Sequence, residues 1–244
     1  MMFAPDIMAL SAFYHSHPGE LVHRVLVSYV QKFCRGHHVP TVGIGYTLGV
    51  VEEAKAFHII PAHMVHPEYS LSTSPLRCCI ADTCELPIEN ESLDRLVLLH
   101  ALEYSNCMPE FLAECWRILE PGGKMLVVVP NRRGFWSHGD QTPFGYGHPF
   151  HPMQLSQLLN LVRFRVTGLN TALFYPPTEN VILLQAAPIW EWIGKYIMPA
   201  FQGVLIMEAK KDVFALNPPI QSEFSLKRLV GPAVKPIVGR NHQQ

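Results

Sequence analysis

Apolar residues follow two patterns along the chain: one repeats with the spacing of a helix, and the other forms short, nearly continuous runs. Between residues 19 and 34 they recur at helical spacing, which predicts an amphipathic helix that stops near Gly36. The short runs are typical of strands buried on both faces of a parallel sheet. They predict strands at 39–44, 57–60, 76–81, 93–99, 124–129, 164–174 and 203–209.

Helical spacing returns between several of these strands. The helix predicted at 109–119 has Pro109 in its first turn, where a missing N–H costs nothing, and Pro121-Gly122-Gly123 stops it. A strand followed by a helix, a glycine turn and another strand is typical of a parallel sheet with crossover helices. Further helices are predicted at 50–56, 153–162 and 188–198.

Three segments outside this alternation indicate one domain with appendages. The Gly-, Pro- and His-rich stretch 131–152 is long for a loop inside a compact domain and is interpreted as a lid-like loop. The aromatic-rich stretch 175–202 is interpreted as an insertion that either covers a substrate or packs on the sheet. Residues 210–244 are polar and interrupted by prolines, which predicts a tail that is disordered or bound to a partner protein. The domain itself is predicted to span 1–209.

Charge and cysteine usage narrow the function classes. The 244 residues carry a formal net charge of −1, so the chain lacks the positive field that attracts nucleic acid, and no such partner is expected. No apolar stretch is long enough to span a membrane, and no secretory signal precedes the first helix. The six cysteines form no CxxC pair, so reduced thiols and a cytoplasmic location are expected.

A series of motifs occupies the stretch from residue 82 to residue 130. In chain order it contains an acidic residue, a Leu-Pro pair, a Ser-hydrophobic-Asp entry into a strand, a histidine after that strand, and a Glu-x-x-Arg helix that leads to Pro-Gly-Gly. These are Asp82, Leu86-Pro87, Ser92-Leu93-Asp94, His100 and Glu114 to Gly123. The series resembles the second half of class I S-adenosylmethionine-dependent methyltransferase domains. Residues 131–136 and 142–145 are more loosely similar to a bacterial, type-11-like subgroup.

The resemblance implies a Rossmann-like, three-layer α/β sandwich with a mostly parallel seven-stranded sheet and an antiparallel last strand. It also implies an S-adenosylmethionine site at the carboxyl ends of the strands, near the topological switch point. Glycines in the turn after the first strand would let the donor approach the backbone, and Asp82 would accept a hydrogen bond from the adenine amino group. The implied donor-binding residues are Thr41, Gly43, Gly45, Asp82, Thr83 and His100.

Three positions depart from the family's pattern. Thr41 stands where the family has an acidic residue before the glycine turn, and Thr47 stands at the third glycine position. Pro61-Ala62-His63 follows the second strand, where the family has the carboxylate that holds the ribose. Loss of that charge-assisted hydrogen bond costs about 1.5–3 kcal/mol, or roughly one to two decades of affinity. Weak donor binding, altered donor binding and no donor binding therefore all stay open on the sequence.

The sequence assigns no catalytic residue. Methyl transfer needs a general base only when the nucleophile carries a proton at neutral pH. Candidate bases lie in or near the long loop: His138, Asp140, Tyr146, His148 and His151. Several of these are sound metal ligands, but their spacing matches no metal-binding signature, so no metal site is predicted. Asp94 is interpreted as structural, because it precedes its strand at the edge away from the ligand.

Three functions stay open on the sequence alone. The first is an S-adenosylmethionine-dependent methyltransferase with an unidentified, small-molecule acceptor, which the motifs favour. The second is a non-catalytic binding or regulatory module on the same scaffold, which the departures at Thr41, Thr47 and Pro61-Ala62 favour. The third is a nicotinamide-dependent dehydrogenase; the glycine turn permits it, but the missing acidic residue after the second strand argues against it.

Overall fold

The computed structural model describes residues 5–35, 41–51, 56–65, 77–137, 142–175 and 202–213. The helices in these ranges are α1 (Ile7–Tyr14), α2 (His17–Cys34), α3 (Met108–Ile118) and α4 (Pro152–Leu161). The strands are β1 (Thr41–Gly45), β2 (Ala56–Pro61), β3 (Cys78–Ala81), β4 (Leu93–Leu99), β5 (Leu119–Pro130), β6 (Phe164–Ala172) and β7 (Val204–Lys211).

All seven strands belong to one sheet, in the order β3-β2-β1-β4-β5-β7-β6. Strands β1 to β5 are parallel to one another, and β7 runs antiparallel between β5 and β6. This confirms the predicted mostly parallel sheet with an antiparallel last strand. The strand order proceeds outward from β1 to β3 and then resumes on the other side of β1 with β4. The topological switch point therefore lies between β1 and β4.

Helices cover both faces of the sheet, which explains the unbroken apolar runs in its central strands. In β4, Leu96 and Leu98 belong to the core formed with α3, while Val97 and Leu99 belong to the core formed with α2. All four side chains are at most 1% exposed. Each contributes about 1.5–3 kcal/mol through burial. Alternation of side chains between two buried faces produces the three-layer sandwich.

Most elements lie within one or two residues of their predicted positions, and two differences have physical causes. Helix α2 begins at His17, because the Ser16 hydroxyl caps it by accepting a hydrogen bond from the Gly19 N–H at 3.3 Å. Strand β7 continues to Lys211, two residues beyond the predicted end. The Lys211 ammonium is buried and donates to the Leu119 carbonyl at 2.7 Å, so it belongs to the folded domain. Strand β5 begins at Leu119, five residues before its predicted start, and Ala56, the last residue of the helix predicted at 50–56, begins β2. Residues 52–55 of that helix, residues 176–201 of the predicted insertion with its helix at 188–198, and residues 214–244 of the predicted tail lie outside the described residues.

Helix α1 is an element that the sequence analysis does not predict. Asp6 caps it by accepting a hydrogen bond from the Ala9 N–H at 2.8 Å. Ile7, Leu10 and Tyr14 form its buried face, which is one short stripe of apolar residues. The helix packs against α2 and places Tyr14 at the carboxyl ends of the central strands.

Candidate functional site

The carboxyl ends of β1 and β4 lie side by side at the switch point. Gly45 at the end of β1 is in register with Leu99 at the end of β4, and the Tyr46 N–H donates to the Leu99 carbonyl at 2.8 Å. In open α/β sheets, ligands bind in the crevice outside such strand ends. The residues that follow β1 and β4 are therefore the first to examine for a site.

Gly43 and Gly45 are both required by the packing of the protein itself. Gly45 has φ +94°, and a methyl group built on it would overlap the Leu99 carbonyl oxygen. A methyl group on Gly43 would overlap the side chain of Thr47, which is fully buried. Thr47 Oγ1 shares a hydrogen bond with His58 Nδ1 at 2.8 Å. The family's third glycine position is therefore filled by a side chain that covers Gly43.

Polar groups at the ends of β2 and β3 lie close together and face solvent. Pro61 is in register with Ala81, so His63 and Asp82 follow neighbouring strand ends. Both residues are exposed, while Thr83 is buried. Partial desolvation of the His63 ring by the surrounding chain lowers its pKa, and the nearby Asp82 carboxylate opposes this by raising the pKa. Asp82 Oδ1 also accepts a hydrogen bond from the Cys84 N–H at 2.8 Å, which shapes the loop after β3.

Thr41, which stands where the family has an acidic residue, and Asp94 lie at the opposite edge of the sheet, where β1 and β4 begin. Thr41 is the first residue of β1, and its hydroxyl donates to Cys34 Sγ at 3.7 Å near the end of α2. The structure therefore does not bring Thr41 together with Gly45, Asp82 and His100. Asp94 accepts a hydrogen bond from Arg95 Nη1 at 2.6 Å, in agreement with its interpretation as a structural residue.

His100 lies at the centre of a buried hydrogen-bonded chain. Its Nε2 is 2.9 Å from the Tyr14 hydroxyl, and its Nδ1 is 3.1 Å from Glu103 Oε1. His100 and Glu103 are at most 1% exposed, and Tyr14 is 5% exposed. His100 also has φ +54°, a left-handed conformation that is uncommon for residues with a side chain. Such strained residues cluster at functional sites.

The Glu103 carboxylate decides the direction of these hydrogen bonds, because it can only accept. His100 Nδ1–H therefore donates to Glu103, and Nε2 accepts from the Tyr14 hydroxyl; we assign this tautomer from the hydrogen-bond network. Burial, with further contributions from Tyr46 and Glu103, raises the pKa of Tyr14, so its hydroxyl keeps the proton that it donates. The second oxygen of Glu103, Oε2, is buried and has no hydrogen-bond partner among the described residues.

Aromatic rings surround His100 and Tyr14. The Tyr14 ring stacks on Tyr46, with centroids 4.8 Å apart and planes 11° apart. Phe144 packs against the imidazole with a centroid distance of 4.7 Å, and the Tyr104 ring is nearly parallel to it at 6.1 Å. Phe144 belongs to the predicted lid-like loop, and it is fully buried. The described part of that loop therefore forms one wall of the aromatic cluster.

The Glu-x-x-Arg motif fastens the loop that follows β3. Arg117 donates to the carbonyls of Leu86 and Ile88 at 2.9 and 2.8 Å. Arg117 Nε and Nη2 also donate to Oε1 and Oε2 of Glu114, each at 2.8 Å. Glu114 accepts the Leu86 N–H at 2.9 Å. Its hydrogen bond with Arg117 is the main reason why its pKa is lowered. The motif is thus a clamp that holds the loop beside Asp82.

Cys84 and Cys107 form a disulfide between this loop and the start of α3. The two cysteines are separated by 23 residues in sequence, and the fold brings them together. The expectation that all the cysteines are reduced is therefore wrong for this pair. The sequence spacing of the two cysteines did not indicate this disulfide, because their contact depends on how α3 packs after β4.

The candidate bases in the long loop have varied surroundings. His151 Nδ1 accepts the Met153 N–H at 3.3 Å, so its side chain caps α4. The backbone N–H of His148 donates to the Glu103 carbonyl at 2.9 Å. His138 and Asp140 lie outside the described residues. Within the described ranges, no three His, Cys, Asp or Glu residues are placed to hold a metal ion, and no helix combines the length and hydrophobicity needed to cross a membrane.

Comparison with known proteins adds a family resemblance. Residues 42–127, which run from β1 into β5, match a family described as "Methyltransferase domain". The matched segment includes every predicted donor-binding residue except Thr41, which immediately precedes it. The chain is 38% identical over 87 residues to a probable S-adenosylmethionine-dependent methyltransferase of Mycolicibacterium smegmatis. That match covers 34% of this chain and 32% of the relative, so the chain spans about a third of the relative's length.

The fold is shared with solved structures of low sequence identity. One is a Thermotoga maritima SAM-dependent methyltransferase, described as a possible histamine N-methyltransferase. Its TM-score is 0.58 at 14% identity, over 83% of this chain and 94% of that one. Another is a SAM-dependent methyltransferase from Archaeoglobus fulgidus, with a TM-score of 0.57 at 17% identity over 82% and 96% of the two chains. These likenesses establish the architecture.

Sequence analysis overlooked three residues that the structure places at the site. His63 stands beside Asp82, although the analysis counted only the missing carboxylate there. Glu103 follows His100 by three residues, and that short separation was a signal that the two side chains could pair. Tyr14 is far from both in sequence, and only the helical spacing of Ile7, Leu10 and Tyr14 could have pointed to it.

Proposed function

We propose that the chain is an S-adenosylmethionine-dependent methyltransferase that acts on a small-molecule acceptor. The observation that carries the proposal is the position of Asp82. It is an exposed carboxylate at the end of β3, on the same edge as the switch point, within a segment that matches a methyltransferase family. The names of the relatives support the choice of S-adenosylmethionine as the donor.

The groups at this edge fit the adenosine part of the donor. The Asp82 carboxylate has one oxygen engaged with Cys84 N–H, which leaves the other to accept a hydrogen bond from the adenine amino group. His63 lies beside it and can bond to a ribose hydroxyl in place of the absent carboxylate. The backbone of Thr83 completes the nucleoside-binding side of the proposed site.

The methionine part of the donor would extend toward the end of β1. There the space over Gly43 is filled by Thr47, and Tyr14 stacks on Tyr46. Tyr14 lies beside this space, with its hydroxyl next to His100 after the end of β4. When bound, the donor supplies an electrophilic methyl group on a sulfonium. The protein's own contribution is to orient the acceptor and exclude water from the crevice.

Calorimetric titration with S-adenosylhomocysteine tests the proposal. We expect binding to the wild-type chain, and binding weakened about tenfold by Asp82→Asn, because the amide retains the loop hydrogen bond but loses the charge that strengthens the adenine contact. Glu89→Gln is the matched control, since Glu89 is an exposed carboxylate farther along the same loop.

The opposing result is equally definite. No heat at millimolar ligand, with a circular dichroism spectrum that shows folded protein, contradicts the proposal and supports a non-catalytic module instead. Equal weakening by Asp82→Asn and Glu89→Gln contradicts the assigned position of the adenine. The predicted cytoplasmic location and protein partner stay predictions.

A further inference from the structure

Tyr14 places a phenol in the crevice at the switch point. Its ring is sandwiched against Tyr46 at 4.8 Å, and its hydroxyl is 2.9 Å from His100 Nε2. Tyr14 reaches this place from α1, an eight-residue helix that contributes no strand to the sheet. Displacing α1 therefore breaks no strand pairing. The Tyr46 ring and the His100 imidazole, which contact Tyr14, directly follow β1 and β4.

The surface around the Tyr14 ring, formed by Tyr46, His100 and Phe144, has the features of a site for an aromatic hydroxyl compound. Tyr46 offers a flat face for stacking, and Phe144 packs at the side of the imidazole. His100 offers one hydrogen-bond acceptor, Nε2, at the position of the hydroxyl. An acceptor placed at one point beside an aromatic face selects planar rings that carry an O–H group.

Glu103 prepares His100 for this role. Its carboxylate takes the Nδ1 proton at 3.1 Å, which fixes the tautomer that leaves Nε2 free of a proton. A buried carboxylate with an unpartnered oxygen is unfavourable for stability, and so is the left-handed backbone of His100. Two unfavourable features at one strand end are more consistent with a functional arrangement than with packing alone.

We propose that Tyr14 occupies the acceptor position, that the acceptor is a phenol, and that His100 is the general base, with Glu103 as its positioning residue. This proposal rests on the proposed methyltransferase function. The phenol oxygen gives its proton to His100 Nε2 and forms a bond to the methyl carbon, while the bond from that carbon to sulfur breaks and its electron pair stays on sulfur. The imidazolium then releases the proton to solvent.

The first test measures binding without the donor, so it does not depend on methyl transfer. Tyr14→Ala removes the intramolecular phenol, and we expect p-cresol at millimolar concentration to raise the Tm of this variant. Toluene has the same ring without the hydroxyl, and we expect it to bind about tenfold more weakly. Wild-type protein should show neither shift. Tyr14→Leu serves in the same way if the alanine variant does not fold. Equal effects of the two compounds, or no effect, overturn the proposal.

The second test follows the reaction by mass spectrometry with S-adenosylmethionine and p-cresol. All variants in this test carry Tyr14→Ala, which opens the acceptor position. We expect 4-methylanisole from Tyr14→Ala and roughly 10²–10⁴-fold less when His100→Asn is added, because the general base is then absent. Glu103→Gln should lower kcat while the KM for p-cresol changes little, because Glu103 acts through His100. If Glu103→Gln instead lowers kcat and raises KM by similar factors, its role is merely structural, which contradicts the positioning assignment.

The phenol acceptor and the proposed methyltransferase function can be rejected separately. Binding of S-adenosylhomocysteine without methylation of p-cresol overturns this inference and leaves the proposed function standing. Failure to bind S-adenosylhomocysteine overturns the proposed function, and the p-cresol measurement then decides on its own whether the crevice receives a phenol.

Discussion

Replacing Tyr14 with phenylalanine removes one oxygen atom from the contact between α1 and the end of β4. The ring and its stacking on Tyr46 stay, but His100 Nε2 is left without its donor in a residue that is 0% exposed. An unpartnered buried polar atom costs about 1–3 kcal/mol. We therefore expect the free energy of unfolding to fall by about 2 kcal/mol, with a Tm lower by roughly 4–8 °C for a chain of this size.

Urea denaturation followed by circular dichroism measures this change. Tyr29→Phe is the matched control, because its hydroxyl donates to the Thr171 carbonyl at a longer 3.4 Å in a half-buried place that water can reach. We expect less than about 0.5 kcal/mol for the control, since water replaces the lost partner. Equal effects of the two substitutions refute the view that the Tyr14 hydroxyl is a specific buried contact.

The same hydroxyl also gives a pH signature. Burial raises the pKa of Tyr14 in the folded chain. Above the unfolded-state pKa, about 10, the unfolded chain loses this proton while the folded chain keeps it, so stability falls as pH rises. Stability should therefore decline less steeply above pH 10 in Tyr14→Phe than in wild type. Identical slopes in the two proteins contradict the assigned protonation.

Three further predictions concern the glycine turn, the clamp and the disulfide. Gly45→Ala should destabilise the chain by more than about 2 kcal/mol. Gly168→Ala should not destabilise it, because a methyl group there meets only a side chain at 3.6 Å. Equal shifts of the urea midpoint in the two variants contradict this prediction. Arg117→Ala should cost about 1–3 kcal/mol in the same assay, because two loop carbonyls lose their donor; a cost under about 0.5 kcal/mol rejects the clamp. Dithiothreitol should lower the free energy of unfolding of wild type by about 3 kcal/mol, because it reduces the Cys84–Cys107 bond. It should not change the stability of Cys84→Ser, which lacks this bond. An equal response of the two proteins argues against the bond.

The parts of the fold that follow from local pattern were predictable. β4 was predicted at its observed bounds, because an apolar run of that length has few alternatives once a helix and a glycine turn follow it. The carboxyl edge followed from parallel strand order, which put Asp82 and His100 at the ends of their strands. Position along a strand is enough to assign such residues to an edge.

Contacts between distant segments could not be predicted from the same patterns. Tyr14 and His100 are 86 residues apart, and their hydrogen bond depends on the angle at which α1 packs against α2. Thr47 fills the space over Gly43, which reverses the usual interpretation of a glycine in that turn: here it accommodates a side chain of the protein itself. The Cys84–Cys107 bond has the same origin, since packing of α3 rather than sequence spacing brings its partners together.

A crystal structure of the chain with S-adenosylhomocysteine tests the central claim most directly. The account predicts adenine beside Asp82 and the ribose near His63. A nucleoside bound elsewhere, or one whose adenine lies away from Asp82, contradicts it.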